Sequence, residues 1–326
     1  MIRISAAEIQ IPRGCLLYDL DKASRMKEGN GMRNSDTMAI LSSLSLVIVA
    51  VLVAFAASQG ESVRVNVAGD IPLIFICMMI SFVIQWLVFI PSYLYKTEKY
   101  FDLTGGLTFL SLTTVILLLT ETLTVVSYLL GILVVIWAIR LSSFLFLRIR
   151  KDGHDKRFAD VIPNKTKFLF YWTFQGFWAF ITPVAAFTAI GSQNISGKIE
   201  IITILGLIIW LIGFCIEVIA DRQKRKFREP AENKNKFISS GLWSWSRHPN
   251  YFGEIILWIG VLIIALPTLV GWQYVTVLSI PYVIIMLTKV SGVVKLEDAS
   301  DQKWGDDEAY QKYKRNTSTL IPSRPR

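Results

Sequence analysis

The 326-residue sequence is poor in the side chains that build metal centres and disulfide frameworks, with three cysteines and two histidines. Cys15, Cys77 and Cys215 are too far apart for a zinc cluster or a disulfide scaffold. His154 and His248 alone exclude a multi-histidine metal centre. Charge is scarce too: 18% of residues are Asp, Glu, Lys or Arg, against about 25% in an ordinary soluble domain. No internal repeat is visible, which argues against a transporter built from repeated halves.

What fills the space is apolar. Uncharged runs cover 37–60, 71–95, 103–120, 122–139, 168–197, 201–216 and 255–288, and several reach the ~20 residues that cross a bilayer core. The last run is too long for one span, because 34 helical residues would extend about 51 Å against a core of ~30 Å. Splitting it near Pro267 and Gly271 gives eight spans, at roughly 38–58, 71–95, 103–120, 122–147, 168–190, 199–220, 252–270 and 272–290. The fold class expected is an all-α polytopic membrane protein with 7–8 transmembrane helices. A seven-span variant would make 103–120 re-entrant or tilted rather than crossing. Residues 1–37 read as a polar, disordered tail, and 38–326 as the membrane domain; the tail lacks the apolar core of a cleaved signal peptide, and its acids speak against a transit peptide.

The net charge of +9 follows topology rather than nucleic-acid binding. Lys and Arg number six before the first span, then 1, 2, 0, 7, 1, 8 and 0 in successive loops, and eight after the last. Alternate segments thus hold 31 of 33, the remaining cation being Arg140 inside a span. That asymmetry places both termini and the loops 148–167 and 221–251 in the cytoplasm, with the endoplasmic reticulum as the membrane if the cell is eukaryotic.

Ionisable residues inside spans are costly and therefore functional candidates. Arg140 is expected to face a polar cavity, on the same helix face as Arg148 two turns on. Glu217, Asp221, Lys224 and Arg228 follow at i, i+4, i+7 and i+11, one helical stripe with acids deep and bases shallow. The stripe reads either as a ladder of interfacial ion pairs or as one wall of a cofactor pocket, with acids for hydroxyls and bases for phosphate. The block Ser246-Arg247-His248-Pro249-Asn250-Tyr251-Phe252-Gly253-Glu254 then opens a transmembrane helix, with Pro249 suited to its first turn. Free N–H groups at such a start suit an anion. Trp243 and Trp245 fit an interfacial anchor, which leaves His248, Asn250 and Glu254 unexplained.

That block resembles the signature of the steroid 5-alpha-reductase-related membrane proteins, and more closely their uncharacterised branch with the same C-terminal domain. The likeness extends over most of residues 70–326, through Lys99-Tyr100-Phe101-Asp102, Trp137, Arg140-Leu141, Asp155 to Phe158, Gln175-Gly176, Glu217 to Lys224, Trp304-Gly305-Asp306, Tyr310, Tyr313 and Ile321-Pro322. The resemblance implies an NADPH-dependent reductase of a conjugated carbon–carbon double bond in a hydrophobic lipid or sterol-like substrate. It implies cofactor contacts at Glu217, Asp221, Arg228, Asn250 and Glu254, with Lys224, Arg247, His248 and Tyr251 adjacent. Steroid reductases polarise a carbonyl with an acid and a tyrosine. Here Gln85-Trp86 stands where they have glutamine and acid, and Trp137 stands near their tyrosine, which leaves Gln85 as the one catalytic candidate. Two alternatives stay open: an isoprenylcysteine carboxyl methyltransferase-like enzyme using S-adenosylmethionine, read from Arg247-His248-Pro249-Asn250-Tyr251 with Glu297-Asp298, and a non-enzymatic lipid-binding or transport protein.

Overall fold

The structure, a computed structural model, describes residues 13–60, 62–66, 70–152, 155 and 158–324, with side chains from residue 34 onward apart from 148, 151 and 152. His154 and the Arg148 side chain lie outside it. Helix α1 (Arg13–Ala57) precedes a short antiparallel hairpin, β1 (Arg64–Asn66) with β2 (Asp70–Pro72). There follow α2 (Leu73–Leu94), α3 (Phe101–Leu119), α4 (Val125–Asp152), α5 (Lys165–Ile181), α6 (Val184–Ile190), α7 (Ile201–Arg228), α8 (Pro249–Ala265), α9 (Ser279–Ile285), α10 (Val293–Trp304) and α11 (Glu308–Asn316). Among the described residues seven helical segments are long and apolar enough to cross a bilayer, and the bent pair α5–α6 makes eight. This is an all-α polytopic membrane protein.

The differences from the expected spans have local causes. The stretch 103–120 is not re-entrant: α3 is an unbroken helix of 19 residues. The broken element is α5–α6, bent by 47°. Pro183 sits at that break, where its ring and missing N–H interrupt the helical ladder. The polar segment does not run to residue 37 as coil, since Asn34–Ala57 is continuous helix. Asp36 there accepts from Asn164 Nδ2 at 2.8 Å and Thr166 Oγ1 at 2.5 Å, tying α1 to the start of α5. The last span is composite, with 3-10 turns over Gly271–Leu278, then α9 and a π-helical turn Met286–Val290. Gly271 starts it with a φ of +52° that a side chain would disfavour.

Packing separates a lipid-facing skin from a dense interior. Leu52, Leu87, Leu118, Ile132 and Ile201 point outward, as hydrocarbon surroundings demand of helix surfaces. Inside, Phe109 meets Trp137 edge-on at 5.1 Å and Trp178 at 4.8 Å, and Trp137 meets Trp258 at 4.8 Å. T-shaped contacts of this kind suit the ring quadrupoles.

Candidate functional site

Close antiparallel packing of α7 against α8 creates the site. Glycines recur seven apart on both α7 (Gly206, Gly213) and α8 (Gly253, Gly260). The two helices run antiparallel, so Gly206 faces Gly260 and Gly213 faces Gly253. A Cβ on Gly213 would lie 2.6 Å from the Gly253 carbonyl, and a Cβ on Gly253 the same from the Gly213 carbonyl. The outer pair repeats this, at 2.8 Å from the Gly260 carbonyl and 2.6 Å from that of Gly206. Only glycine permits such backbone approach, the usual role of small residues between membrane helices. The same seam sets Glu217 beside Gly253, whose Cβ would stand 2.6 Å from the Glu217 amide.

Three carboxyl groups consequently gather at the end of the bundle that carries the basic loops. Glu217, Asp221 and Glu254 are all buried. Arg140 reaches them from α4, its Nη1 donating to Glu217 Oε1 and its Nη2 to Asp221 Oδ2. The guanidinium is the planar, two-pronged donor suited to such a bridge, and the aromatic ring of Phe144 covers it at 5.6 Å. Arg140 thus faces a polar interior, as its place inside a span led us to expect. The acids on the α7 stripe draw their cation from another helix, which a ladder within α7 did not foresee. The Glu217 Oε2 atom receives no hydrogen bond from any described group.

The shallower stripe residues turn toward the following loop. Lys224 Nζ lies 4.5 Å above the Trp243 ring, within cation–π range. Trp243 in turn donates its Nε1 proton to the Ala220 carbonyl at 3.0 Å. Arg228 is exposed at the end of α7.

The block 246–254 divides into a latch and a lining. The resemblance sets Arg247 beside the implied cofactor contacts, and the structure turns it to Glu297 and the C-terminal segment. Its Nε donates to Glu297 Oε1 at 3.2 Å and its Nη2 to Thr319 Oγ1 at 2.9 Å, while Nη2 also forms an ion pair with Glu297 Oε2 at 2.8 Å. Its Nη1 donates to the carbonyls of Lys314 at 2.6 Å and Thr317 at 3.2 Å. All three guanidinium nitrogens are thus hydrogen-bonded to protein oxygens. The C-terminal segment is further held by the Arg247 amide on the Ser318 carbonyl at 2.8 Å, the Ser323 amide on the Trp245 carbonyl at 3.0 Å and the Tyr313 hydroxyl on the Trp243 carbonyl at 2.6 Å. Burial and the neighbouring Asp301 carboxylate push the Tyr310 hydroxyl up to about 12.

His248 and Asn250 form the lining. His248 Nε2 lies 2.8 Å from Glu297 Oε1 and its ring stacks on Tyr251 at 5.8 Å. Burial holds the imidazole below its ordinary range, opposed by Glu297, so the neutral form donates through Nε2 and leaves Nδ1 as an acceptor. That Nδ1 and the Asn250 Oδ1 are buried and receive no hydrogen bond from any described group. With Glu217 Oε2, three buried acceptors on α7 and at the start of α8 lack a donor among the described groups.

The catalytic candidate lies elsewhere in the bundle. Gln85 on α2 is fully buried and donates to Thr108 Oγ1 at 2.8 Å. Trp86 faces outward and bonds Thr173 at 3.0 Å, so no acid or substitute for one stands there. Trp137 is buried in the aromatic cluster one turn deeper than Arg140. Sequence reasoning placed Glu297 only in the methyltransferase alternative and missed its pairing with Arg247, 50 residues away, and with His248. It also missed the glycine seam, whose sevenfold spacing was there to be read.

Comparison with known proteins agrees with this picture. The model of the family described as "Protein of unknown function (DUF1295)" matches residues 88–317. Curated relatives include "3-oxo-5-alpha-steroid 4-dehydrogenase 1" of Bos taurus, 35% identical over 69 residues, which are 21% of this chain and 26% of that protein. The protein of the same name from Rattus norvegicus is 27% identical over 117 residues, 36% of this chain and 40% of the relative. That from Mus musculus is 36% identical over 55 residues, 17% and 22%. The chain spans well under half the length of each of these relatives. No solved structure matches. A family match running from the later part of α2 to the end of α11 encloses the glycine seam, the carboxylate cluster and the latch up to residue 317, and the chain belongs to this DUF1295 family of steroid 5-alpha-reductase-related membrane proteins.

Proposed function

We propose that this protein is an NADPH-dependent reductase of a conjugated carbon–carbon double bond in a lipid or sterol-like substrate, with its cofactor site on the cytoplasmic side. The observation that carries the reading is the set of three unpartnered buried acceptors, Glu217 Oε2, His248 Nδ1 and Asn250 Oδ1. Buried acceptors need donors, and a dinucleotide offers them in its ribose hydroxyls, carboxamide and adenine amine. The cations Lys224 and Arg228, a turn or two nearer the surface on α7, supply charge for phosphates. The names of the curated relatives point the same way. Bound there, NADPH would supply a hydride. The protein's part is to hold the ring end by Glu217 and Asn250, keep the carboxylates oriented through Arg140, and exclude water by the α7–α8 seam.

Arg247, a key residue of the methyltransferase alternative, is engaged with Glu297 and the C-terminal segment. Sidedness rests on the basic loops, and modification of a cysteine at position 235 in sealed vesicles reads it directly. The activity is tested by incubating purified protein with NADPH carrying deuterium at its transferable position and a lipid extract. Deuterium recovered at carbon in a reduced lipid is expected; transfer of none, with folded protein, sinks the proposal.

A further inference from the structure

Away from the charged cluster, α2, α3 and α5 meet around two glutamines. Gly176 lets α2 close on α5: a Cβ there would lie 3.3 Å from Gln85 Cγ and 3.4 Å from the Phe82 Cα. Ser81 Oγ donates to the Gly176 carbonyl at 2.6 Å across the same contact. Gln85 and Gln175 are thereby set against one stripe of α3, Phe101, Thr104, Gly105 and Thr108, within two helical turns.

Their hydrogen bonds determine which way each amide points. Thr108 already donates its hydroxyl proton to the Thr104 carbonyl at 2.8 Å, so its oxygen can only accept from Gln85 Nε2. Gln175 Nε2 donates to the Phe101 carbonyl at 2.6 Å, a group that cannot donate back. Flipping either amide would set oxygen against oxygen. Both amide oxygens, Gln85 Oε1 and Gln175 Oε1, are therefore the unsatisfied atoms, and neither receives a hydrogen bond from any described group. Gln85 is 0% exposed and Gln175 4%. Bilayer hydrocarbon offers no donor to relieve them.

Two fixed acceptors call for a donor. From the amide pair an aromatic wall leads toward the carboxylate cluster: Phe109 follows Thr108 and packs on Trp137, and Trp137 packs on Trp258. Trp137 is one turn from Arg140 on α4, and Trp258 one turn from Glu254 on α8.

We propose that Gln85 and Gln175 form a headgroup site for a hydroxyl-bearing membrane lipid. The site selects a hydrogen-bond donor, the opposite of a pocket that polarises a carbonyl. This deepens the proposed function at its substrate end but rests on other atoms, so the two can fail separately.

The test compares cholestanol with cholestanone, saturated sterols that differ in carrying O–H or C=O, by native mass spectrometry of the detergent-solubilised protein. The wild type should hold cholestanol at least about fivefold more tightly, the scale of one net hydrogen bond. Gln85→Met/Gln175→Met, which preserves volume, should erase that preference while NADPH binding persists. If the pair does not fold, each single Met variant must at least halve it. Equal binding of the two sterols by the wild type, binding of neither, or a preference that survives the substitutions overturns the proposal. Failure of NADPH to bind, with the sterol preference intact, would remove the cofactor reading and leave this site standing.

Discussion

Arg140 is the cation that makes two buried carboxylates tolerable. Deleting it would leave Glu217 and Asp221 without the donor that bridges them. Removal of one partner from a buried ion pair costs about 3–5 kcal/mol. We expect Arg140→Ala to lower the thermal midpoint in detergent sharply, and Arg140→Ala/Glu217→Gln/Asp221→Asn to recover most of the loss by removing the orphaned charge. Failure of the triple variant to recover would mean that Arg140 stabilises by packing rather than by charge.

His248 gives the residue scale its pH dependence. Burial holds its folded pKa below the ordinary 6.5. As pH falls through 6.5, the unfolded chain takes up a proton that the folded chain resists, so stability declines toward acid pH and carries no penalty above that value. Melting curves between neutral and mildly acid pH should show the decline, and His248→Gln should flatten it. An unchanged slope in the variant would assign the acid sensitivity to other groups.

Among elements, the α7–α8 pair matters most, because its glycines decide where the acids lie. Gly253→Ala would press a methyl group against the Gly213 carbonyl and the Glu217 amide, both 2.6 Å from the new carbon. Overpacking of this kind costs about 1–3 kcal/mol, and the helices can relieve it only by separating, which moves Glu217 away from Glu254. We predict weakened folding together with weakened NADPH binding. Gly197→Ala, with nothing within 4 Å of the new carbon, should melt within about 0.5 kcal/mol of wild type, as ordinary surface changes do. Equal effects from the two variants would deny the seam its role.

These elements also show what a sequence can and cannot disclose. The spans were readable because length and lack of charge determine them, and so was the importance of Arg140, since a cation inside a span needs a reason. Its partners were not readable, because tertiary packing of α4 on α7 sets them. The α5–α6 bend was written in Pro183. Arg247 misled because an exposed arginine and a latched one look alike in sequence. Its partners come from Glu297 and the chain beyond residue 313, distant segments that no local pattern connects.

At the scale of the whole molecule, the charged and apolar chemistries are layered along the bundle. The basic loops and the C-terminal latch occupy one end, the carboxylate cluster lies just inside it, and the tryptophan layer deeper still. A water-soluble cofactor entering from the charged end and a lipid entering from the bilayer would meet where Arg140, Glu217 and Glu254 adjoin Trp137 and Trp258. The most direct test is equilibrium binding of NADPH, with S-adenosylmethionine as reference, to wild type and Glu217→Gln. Saturable binding of NADPH and not of S-adenosylmethionine is expected. It should weaken at least about tenfold in Glu217→Gln, where an amide donor can replace the unpartnered oxygen. Binding of S-adenosylmethionine instead, or NADPH affinity indifferent to Glu217, would contradict a dinucleotide site at this cluster.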